Sequence, residues 1–527
     1  MTHAEQPQQP ESLTVDEALQ KGIACHQAGQ LQEAERHYRA ILQVQSHHAD
    51  ANHNLGVVAV QVNRVEAGLP HFKAALEANP NQAQYWLSYI DALIQAGQTE
   101  VARKVLEQGR QHGLEGEVEA SLAERLGPNT EEINALVALF GEGRYEEAAT
   151  QARTMTERFP QHGFGWKVSG AVLKQIGRSA EALAPLQKAA ALSPGDAEAH
   201  FNLGLVLHDL GRLEEAEASY RRALQINPEY AGAHYNLGIT LMRLGRLEEA
   251  EGSYRSAVQI RPQYADAYCN LGAILMNQGR FDEALVCYQQ QLQLSPGNDS
   301  ALHQIASIVG STTERAPSDY VERVFDGCAD DFDKHLLHVL NYQAPDRLAT
   351  LIAKHATPSA EKWRVLDLGC GTGLVGLAIS PFAQHLVGVD LSSKMLEKAA
   401  ARKVYQRLER MELLAMMERE PASSYDVIIA ADVFVYLGKL DEVVDATKRL
   451  LKPGGVVAFT VEALGMVPGT ASGPDYRLEQ TGRYTHSADY LRRLGAANGF
   501  LPREMVEAQI RVEKGNPVNS YLVLWQG

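Results

Sequence analysis

The sequence predicts a solenoid of paired α-helices followed by an α/β domain with a parallel sheet and a C-terminal antiparallel hairpin. Three observations carry this. Pro160, Pro194, Pro228, Pro262 and Pro296 recur at a 34-residue step, a period that belongs to stacked helical hairpins. A short apolar run ends in Asp367 and gives way to Gly369, Gly371 and Gly373 ahead of a helical pattern, which reads as a strand, a tight turn and a helix. Near the C terminus two extended runs flank Gly515-Asn516, a hairpin signal.

Length and composition bound the answer. A chain of 527 residues exceeds what one core sustains, about 250–300 residues, so at least two units are needed. The formal net charge of -16, with no Lys/Arg-rich stripe to reverse it locally, repels polyphosphates and argues against nucleic acid. A mean hydropathy of -0.25, and the lack of any run near the roughly 20 apolar residues of a membrane helix, argue against a membrane partner. Residues 1–14 read as a polar, disordered tail without the basic and apolar regions of a signal peptide. The five cysteines show no C-x-x-C spacing, and a reducing cytoplasm is the expected compartment.

In the first half, Gly170, Gly204, Gly238 and Gly272 keep the same step as the prolines. From Ala197 onward, Leu203, Gly204, Leu207, Ala216, Tyr220, Ala223 and Pro228 place small residues where two helices must approach. This pattern resembles the tetratricopeptide repeat family. Three repeats fall in 15–116, an interrupting linker in 117–128 where the frame slips, five repeats in 129–298, and a second linker in 299–317. A single unit cannot bury its apolar face alone, so the repeats are expected to stack into one quasi-linear core. The resemblance implies a groove that takes a protein or peptide. Asn54, Asn202, Asn236 and Asn270 stand two residues before the signature glycine, and an amide ladder there suits the backbone of an extended peptide. The alternative is that each amide satisfies a local backbone group.

The second half, 318–527, alternates strand and helix, which means a doubly wound sheet. Asp390 closes the second strand and offers a carboxylate to ribose hydroxyls, an arrangement open to a nicotinamide cofactor as well. Asp367, two residues before the first glycine, suits a methionine amino group better than a pyrophosphate. The terminal hairpin points the same way. With these residues, "VLDLGCGTG" resembles the first motif of class I S-adenosylmethionine-dependent methyltransferases, a Rossmann-like fold. The segments "YVERVFDGCADDFDKHLLHVLNYQAPDRL", "ADVFVYLG" and "GRYTHSADYL" resemble a bacterial family of predicted methyltransferases carrying tetratricopeptide repeats. Cys328 departs from that family's usual Tyr in the helix over the cofactor.

The resemblance implies S-adenosylmethionine as cofactor, cradled by Asp367, Gly369, Cys370, Gly371, Thr372 and Gly373. It implies Asp390 at the ribose, Leu391 and Met395 flanking the adenine, Glu412 near the adenine amino group, and Asp432 facing the methyl group. "LERMELLAMM" around Glu412 makes a poor strand and could equally be helix, which Met, Leu and Glu prefer, and Asp432 has a helix N-cap as its alternative role. Catalytic candidates are Asp432, Tyr436 and His486, since a Tyr or His near the transferred methyl orients or deprotonates an acceptor. His335 and His338 lack a third ligand, so no metal is expected. Asp326, Asp330, Asp331 and Asp333 read as a solvated face. The expected function is methyl transfer to an unknown acceptor, with the array docking a protein or peptide. The competing functions are a scaffold whose cofactor domain is regulatory and a nicotinamide-dependent oxidoreductase.

Overall fold

In the computed structural model the described residues are 13–329, 332–355, 362–465, 473–513 and 515–527. They form two compact units, Met1–Ser253 and Tyr254–Gly527. The expected tail, apart from Leu13 and Thr14, lies outside the described residues. So do Asp330, Asp331 and the side chains of Cys328 and His335.

In the first unit the helices pair as the period predicts. Val15–Gln27 starts on Thr14, whose hydroxyl accepts the Glu17 N–H while Glu17 reaches back to the Thr14 N–H, so two orphan donors at the helix start are satisfied together. Its partner is Leu31–Val44, and the pairs Ala49–Gln61 with Val65–Ala78 and Ala83–Gln95 with Thr99–Gln111 follow. The signature glycine is a packing requirement: a Cβ on Gly204 would lie 2.6 Å from the ring of Tyr220, which is fully buried.

The interruption at 117–128 differs from the expected linker. It holds a helix, Glu117–Leu126, whose Leu122 and Leu126 join the cluster of Tyr85, Trp86, Leu106 and Leu114. The Arg103 guanidinium donates to the carbonyls of Leu126, Gly127 (2.6 Å) and Pro128 (3.1 Å) and ties off the helix end. An i, i+4 leucine pair buries one face even where the 34-residue frame has slipped.

The second unit starts inside the array, well before residue 318. The pair Ala265–Asn277 and Phe281–Leu294 belongs to it, and most of the expected linker 299–317 is a further helix, Asp299–Val309, capped by Asn298. His303 on that helix is buried, packs on Tyr320 and Tyr484, and its Nε2 lies 3.0 Å from the Gly482 carbonyl oxygen.

Among the described residues nine strands build the sheet: β1 Trp363–Leu368, β2 Ala383–Asp390, β3 Arg407–Arg410, β4 Tyr425–Ala430, β5 Leu451–Ala463, β6 Tyr476–Leu478, β7 Tyr484–His486, β8 Leu501–Glu513 and β9 Asn516–Gln526. The order β3-β2-β1-β4-β5 is parallel. The predicted hairpin β8-β9 enters antiparallel to β5, pairing Val456 with Gln526 through to Glu462 with Ser520. The short pair β6-β7, which the sequence did not suggest, adds to the end of β5 at Glu462 and Ala463. Valine, leucine and isoleucine runs on β1 and β4 are buried on both sides, as a central parallel strand requires. No helix among the described residues is long and apolar enough to cross a membrane.

Candidate active site

A cavity of about 900 Å³ opens at the C-terminal ends of β1, β2 and β4, where ligands bind in open α/β sheets. Gly369 leaves β1 at φ +62, in the left-handed region, and a Cβ there would run into the Val433 side chain. Only glycine fits such a position, so the backbone of the turn itself becomes the cavity wall. Gly369, Cys370, Gly371 and Thr372 line it. Gly373, at φ +86, does not; it starts the helix Leu374–Ile379.

Asp390 ends β2 in the same wall. Its Oδ2 accepts the Gly371 N–H at 2.8 Å and its Oδ1 the Ser392 N–H at 2.9 Å. Burial pushes its carboxyl above the ordinary range, with these N–H groups acting in the opposite direction. Each carboxylate oxygen keeps acceptor capacity for a ligand hydroxyl. Leu391, Met411, Glu412 and Leu413 line the next stretch. The segment around Glu412 divides the two expectations between its halves: β3 ends at Arg410, and Glu412 caps the helix Leu413–Arg419 by accepting the Ala415 N–H at 3.0 Å.

Met395 is not in the wall. It is fully buried in the helix Ser393–Ala401 behind it. Asp367 is also displaced from its expected place: it is 1% exposed, outside the cavity lining, and its Oδ2 accepts the Tyr405 hydroxyl at 2.6 Å. Burial raises its carboxyl to about 7. The strand alternation that turns it under the glycine turn hands it to Tyr405 instead of to the cavity.

The aspartates expected on a solvated face do otherwise. Asp326 accepts the Ser392 hydroxyl at 2.5 Å, and Asp333 accepts the Thr372 hydroxyl at 2.5 Å and pairs with Arg402 at 2.5 Å. Asp333 clasps the glycine turn and Asp326 the start of the helix after β2, contacts between residues that the linear pattern keeps far apart. No group of three metal-ligating side chains occurs among the described residues.

Asp432 follows β4 at φ +55 and lines the cavity. It does not cap a helix. Its N–H donates to the Thr460 hydroxyl at 2.8 Å, that hydroxyl donates back to Oδ1 at 2.9 Å, and Oδ2 pairs with Arg511. Arg511, its side chain 4% exposed, also donates to Glu462 and to Glu513, the latter at 2.9 Å. Arg483 bridges Glu462 and Glu513, each at 2.6 Å. This network of two arginines and three carboxylates, buried at Arg511 and Glu462, forms one side of the site, with Arg483, Arg511 and Glu513 in the wall. Apart from Asp432, its members were not singled out in the sequence: Arg483 falls inside "GRYTHSADYL" without being marked, and Arg511 stands between Ile510 and Val512 in an otherwise extended, half-apolar run.

Tyr436 lines the cavity, edge-on to Phe325 with centroids 5.7 Å apart, and burial pushes its phenol up. His486 does not reach the cavity. It is fully buried on β7, its Nε2 lies 3.0 Å from the Gly438 carbonyl oxygen, it stacks on Tyr490, and burial pulls its imidazole down to about 4. A neutral ring held that way serves the fold, and the expectation of a catalytic role is corrected accordingly.

Along the array, the Asn236 amide donates to the Gly232 carbonyl at 2.8 Å, which is the local role open to such an amide. Asn54 lies 3.3 Å from a His53 ring nitrogen and Asn270 lies 3.4 Å from the Tyr254 hydroxyl. All four ladder residues, Asn202 included, are half-buried.

The methyltransferase domain family matches residues 366–457. Tetratricopeptide repeat families match 26–86 and 59–124, then 170–211, 204–245 and 240–279, and 265–298. The chain is 28% identical over 195 residues to a ubiquinone biosynthesis O-methyltransferase of Paraburkholderia phytofirmans, covering 36% of this chain and 81% of the relative. It is 33% identical over 150 residues to a malonyl-[acyl-carrier protein] O-methyltransferase of Halalkalibacterium halodurans, covering 27% of this chain and 54% of the relative. Among solved structures, that of MamA is 24% identical, covering 30% of this chain and 92% of its own, with a TM-score of 0.29.

Proposed function

We propose, for a chain that joins tetratricopeptide repeats to a methyltransferase domain, an S-adenosylmethionine-dependent methyltransferase, acting on an oxygen nucleophile, whose array docks a protein or peptide. The observation that carries the cofactor assignment is Asp390, with both oxygens set by the Gly371 and Ser392 N–H groups in the wall beside a side-chain-free glycine turn. When bound, S-adenosylmethionine supplies an electrophilic methyl carbon on a positively charged sulfur. The chain's own residues then have three tasks.

Asp390 holds the ribose and Leu391, Met411 and Leu413 the adenine ring, with Glu412 beside them. The lid helix Ser318–Cys328 contributes Val321, Val324 and Phe325, which keep water from the reacting atoms. Asp432, fixed by Thr460 and Arg511, and Tyr436 align the acceptor. Alignment of two reactants in this manner is worth about 7–11 kcal/mol. An acceptor oxygen aligned by these residues would take the methyl group in line, the sulfonium keeping the electron pair of the bond it gives up. A proton on that oxygen passes to Asp432 or to water.

Two experiments test the reaction. Calorimetric titration of the full chain with S-adenosylmethionine should give saturable binding that Asp390→Ala weakens; equal affinity in the variant overturns the site. Incubation with methyl-labelled S-adenosylmethionine and host lysate, followed by size separation, should label an acceptor. For docking, a pull-down with the full chain compares wild type with Asn202, Asn236 and Asn270 all changed to Ala. Each hydrogen bond from an amide to a peptide backbone is worth about 0.5–1.5 kcal/mol, so unchanged capture of a partner removes the ladder from the proposal.

A further inference from the structure

The cavity wall extends beyond the methyltransferase core. Asn277, the last residue of the helix Ala265–Asn277 in the final repeat, lines it, as do Arg315 and Ala316 from the stretch that follows the array. Main-chain bonds hold that stretch in place. The Ala316 N–H donates to the Tyr436 carbonyl at 2.9 Å, the Gly438 and Lys439 N–H groups donate to the Glu314 carbonyl at 2.8 and 2.9 Å, and Arg315 bridges Leu437 antiparallel. The Arg315 backbone is therefore fixed at the cavity, while its side chain is 57% exposed. It stands at the mouth.

The three guanidinium groups in the wall differ in what holds them. Arg511 serves Asp432, Glu462 and Glu513, and Arg483 serves Glu462 and Glu513. Those forks are filled by three carboxylates, of which Glu462 is buried. Arg315 has a single ion pair among the described residues, 3.8 Å to exposed Glu442, and an exposed pair at that distance is weak. Beside it the wall is apolar, with Ala316, Val321, Val324, Phe325 and Leu437. A fixed cation bordering an apolar wall complements a ligand that is anionic at one end and apolar along its body.

We propose that this mouth is the acceptor subsite and that it takes an amphipathic anion. The anionic group sits at Arg315 and Asn277, the apolar body runs along Val321, Val324, Phe325 and Leu437, and the nucleophile at the inner end faces Asp432 and Tyr436. The proposal rests on the methyl-transfer reading, since an acceptor subsite needs a donor site beside it. It also makes the last repeat part of the catalytic unit's specificity, distinct from any groove along the array.

The test uses the full chain and decanoate as probe, titrated calorimetrically with and without saturating S-adenosylhomocysteine. Wild type should bind decanoate, with acetate at least about a hundredfold weaker because the methylenes carry the apolar term. Arg315→Glu should weaken decanoate by about tenfold or more, and Arg315→Lys by far less. Affinity for S-adenosylhomocysteine should be the same in all three proteins. Absence of decanoate binding, equal affinity for decyltrimethylammonium, or full affinity in Arg315→Glu overturns the subsite. If S-adenosylhomocysteine fails to bind while decanoate still depends on Arg315, the methyl-transfer reading falls and the anion subsite stands.

Discussion

The repeat unit and the catalytic unit hold themselves together over different distances along the chain. In 1–253 the buried clusters are local: Ala34, Tyr38 and Ala51 in one, Ala182, Leu186 and Val206 in another. In 254–527 one cluster joins Leu366 to Trp525 and a second joins Ala344 to Leu524. Charges divide the same way. Arg212 with Glu215 and Arg246 with Glu249 are exposed pairs one helical turn apart, whereas Arg511 meets Asp432 across 79 residues of sequence in a buried network. A nearest-neighbour stack responds to damage piecemeal, and a core closed by distant segments responds as a whole.

The largest expected effect breaks the network. Arg511→Met leaves Asp432, Glu462 and Glu513 without their shared cation, and removal of one partner of a buried ion pair costs about 3–5 kcal/mol. Scanning calorimetry should show the catalytic unit's transition move down sharply while that of the array stays, with Arg511→Lys in between. Equal movement of both transitions would break the contrast between the units.

Next comes pH. His486 has its folded-state pKa lowered to about 4 from 6.5 by burial. Its contribution is complete above about pH 6.5, is lost as pH falls toward about 4, and is flat below that. The slope is about 1.4 kcal/mol per unit, or about 3 kcal/mol in all. Asp367, raised to about 7, works in the opposite sense and favours the fold at low pH. The two oppose each other between pH 7 and pH 4, so in denaturant melts His486→Gln should gain stability relative to wild type as pH falls, and an unchanged profile would show that this ring does not titrate with unfolding.

Asp390→Ala should weaken S-adenosylhomocysteine by about 1.5–3 kcal/mol through the loss of hydrogen bonds to a charged group, read by calorimetry, and leave the array untouched. In the array itself, Gly204→Ala forces a Cβ against Tyr220 and should cost about 1–3 kcal/mol. Hydrogen exchange should rise only in the neighbouring helices, and affinity for S-adenosylhomocysteine should hold; a fall in that affinity would mean the two units are coupled. Smallest of all is Arg246→Ala. It removes an exposed pair to Glu249 and a part-buried one to Glu217 and should lower the array's transition only slightly.

Sequence alone determined whatever depends on local order. The 34-residue period sets the helix pairs because each packs on its neighbour, and the run from Val365 to Gly373 sets a strand and turn because glycine alone takes those torsions beside a ligand. Gly515 marks the hairpin for the same reason. The helix Glu117–Leu126 was legible in principle through Leu122 and Leu126, but it stands outside the 34-residue frame that makes its neighbours conspicuous. Only the tertiary structure decided which polar groups meet. It sent Asp367 to Tyr405 and His486 to a buried carbonyl, brought Asp333 onto the glycine turn and Asp326 onto Ser392 after β2, and assembled Arg483, Arg511, Glu462 and Glu513 around Asp432. A side chain's partners across a folded sheet depend on which distant strand lies next to it and on how the chain crosses between them, and neither leaves a local period to read.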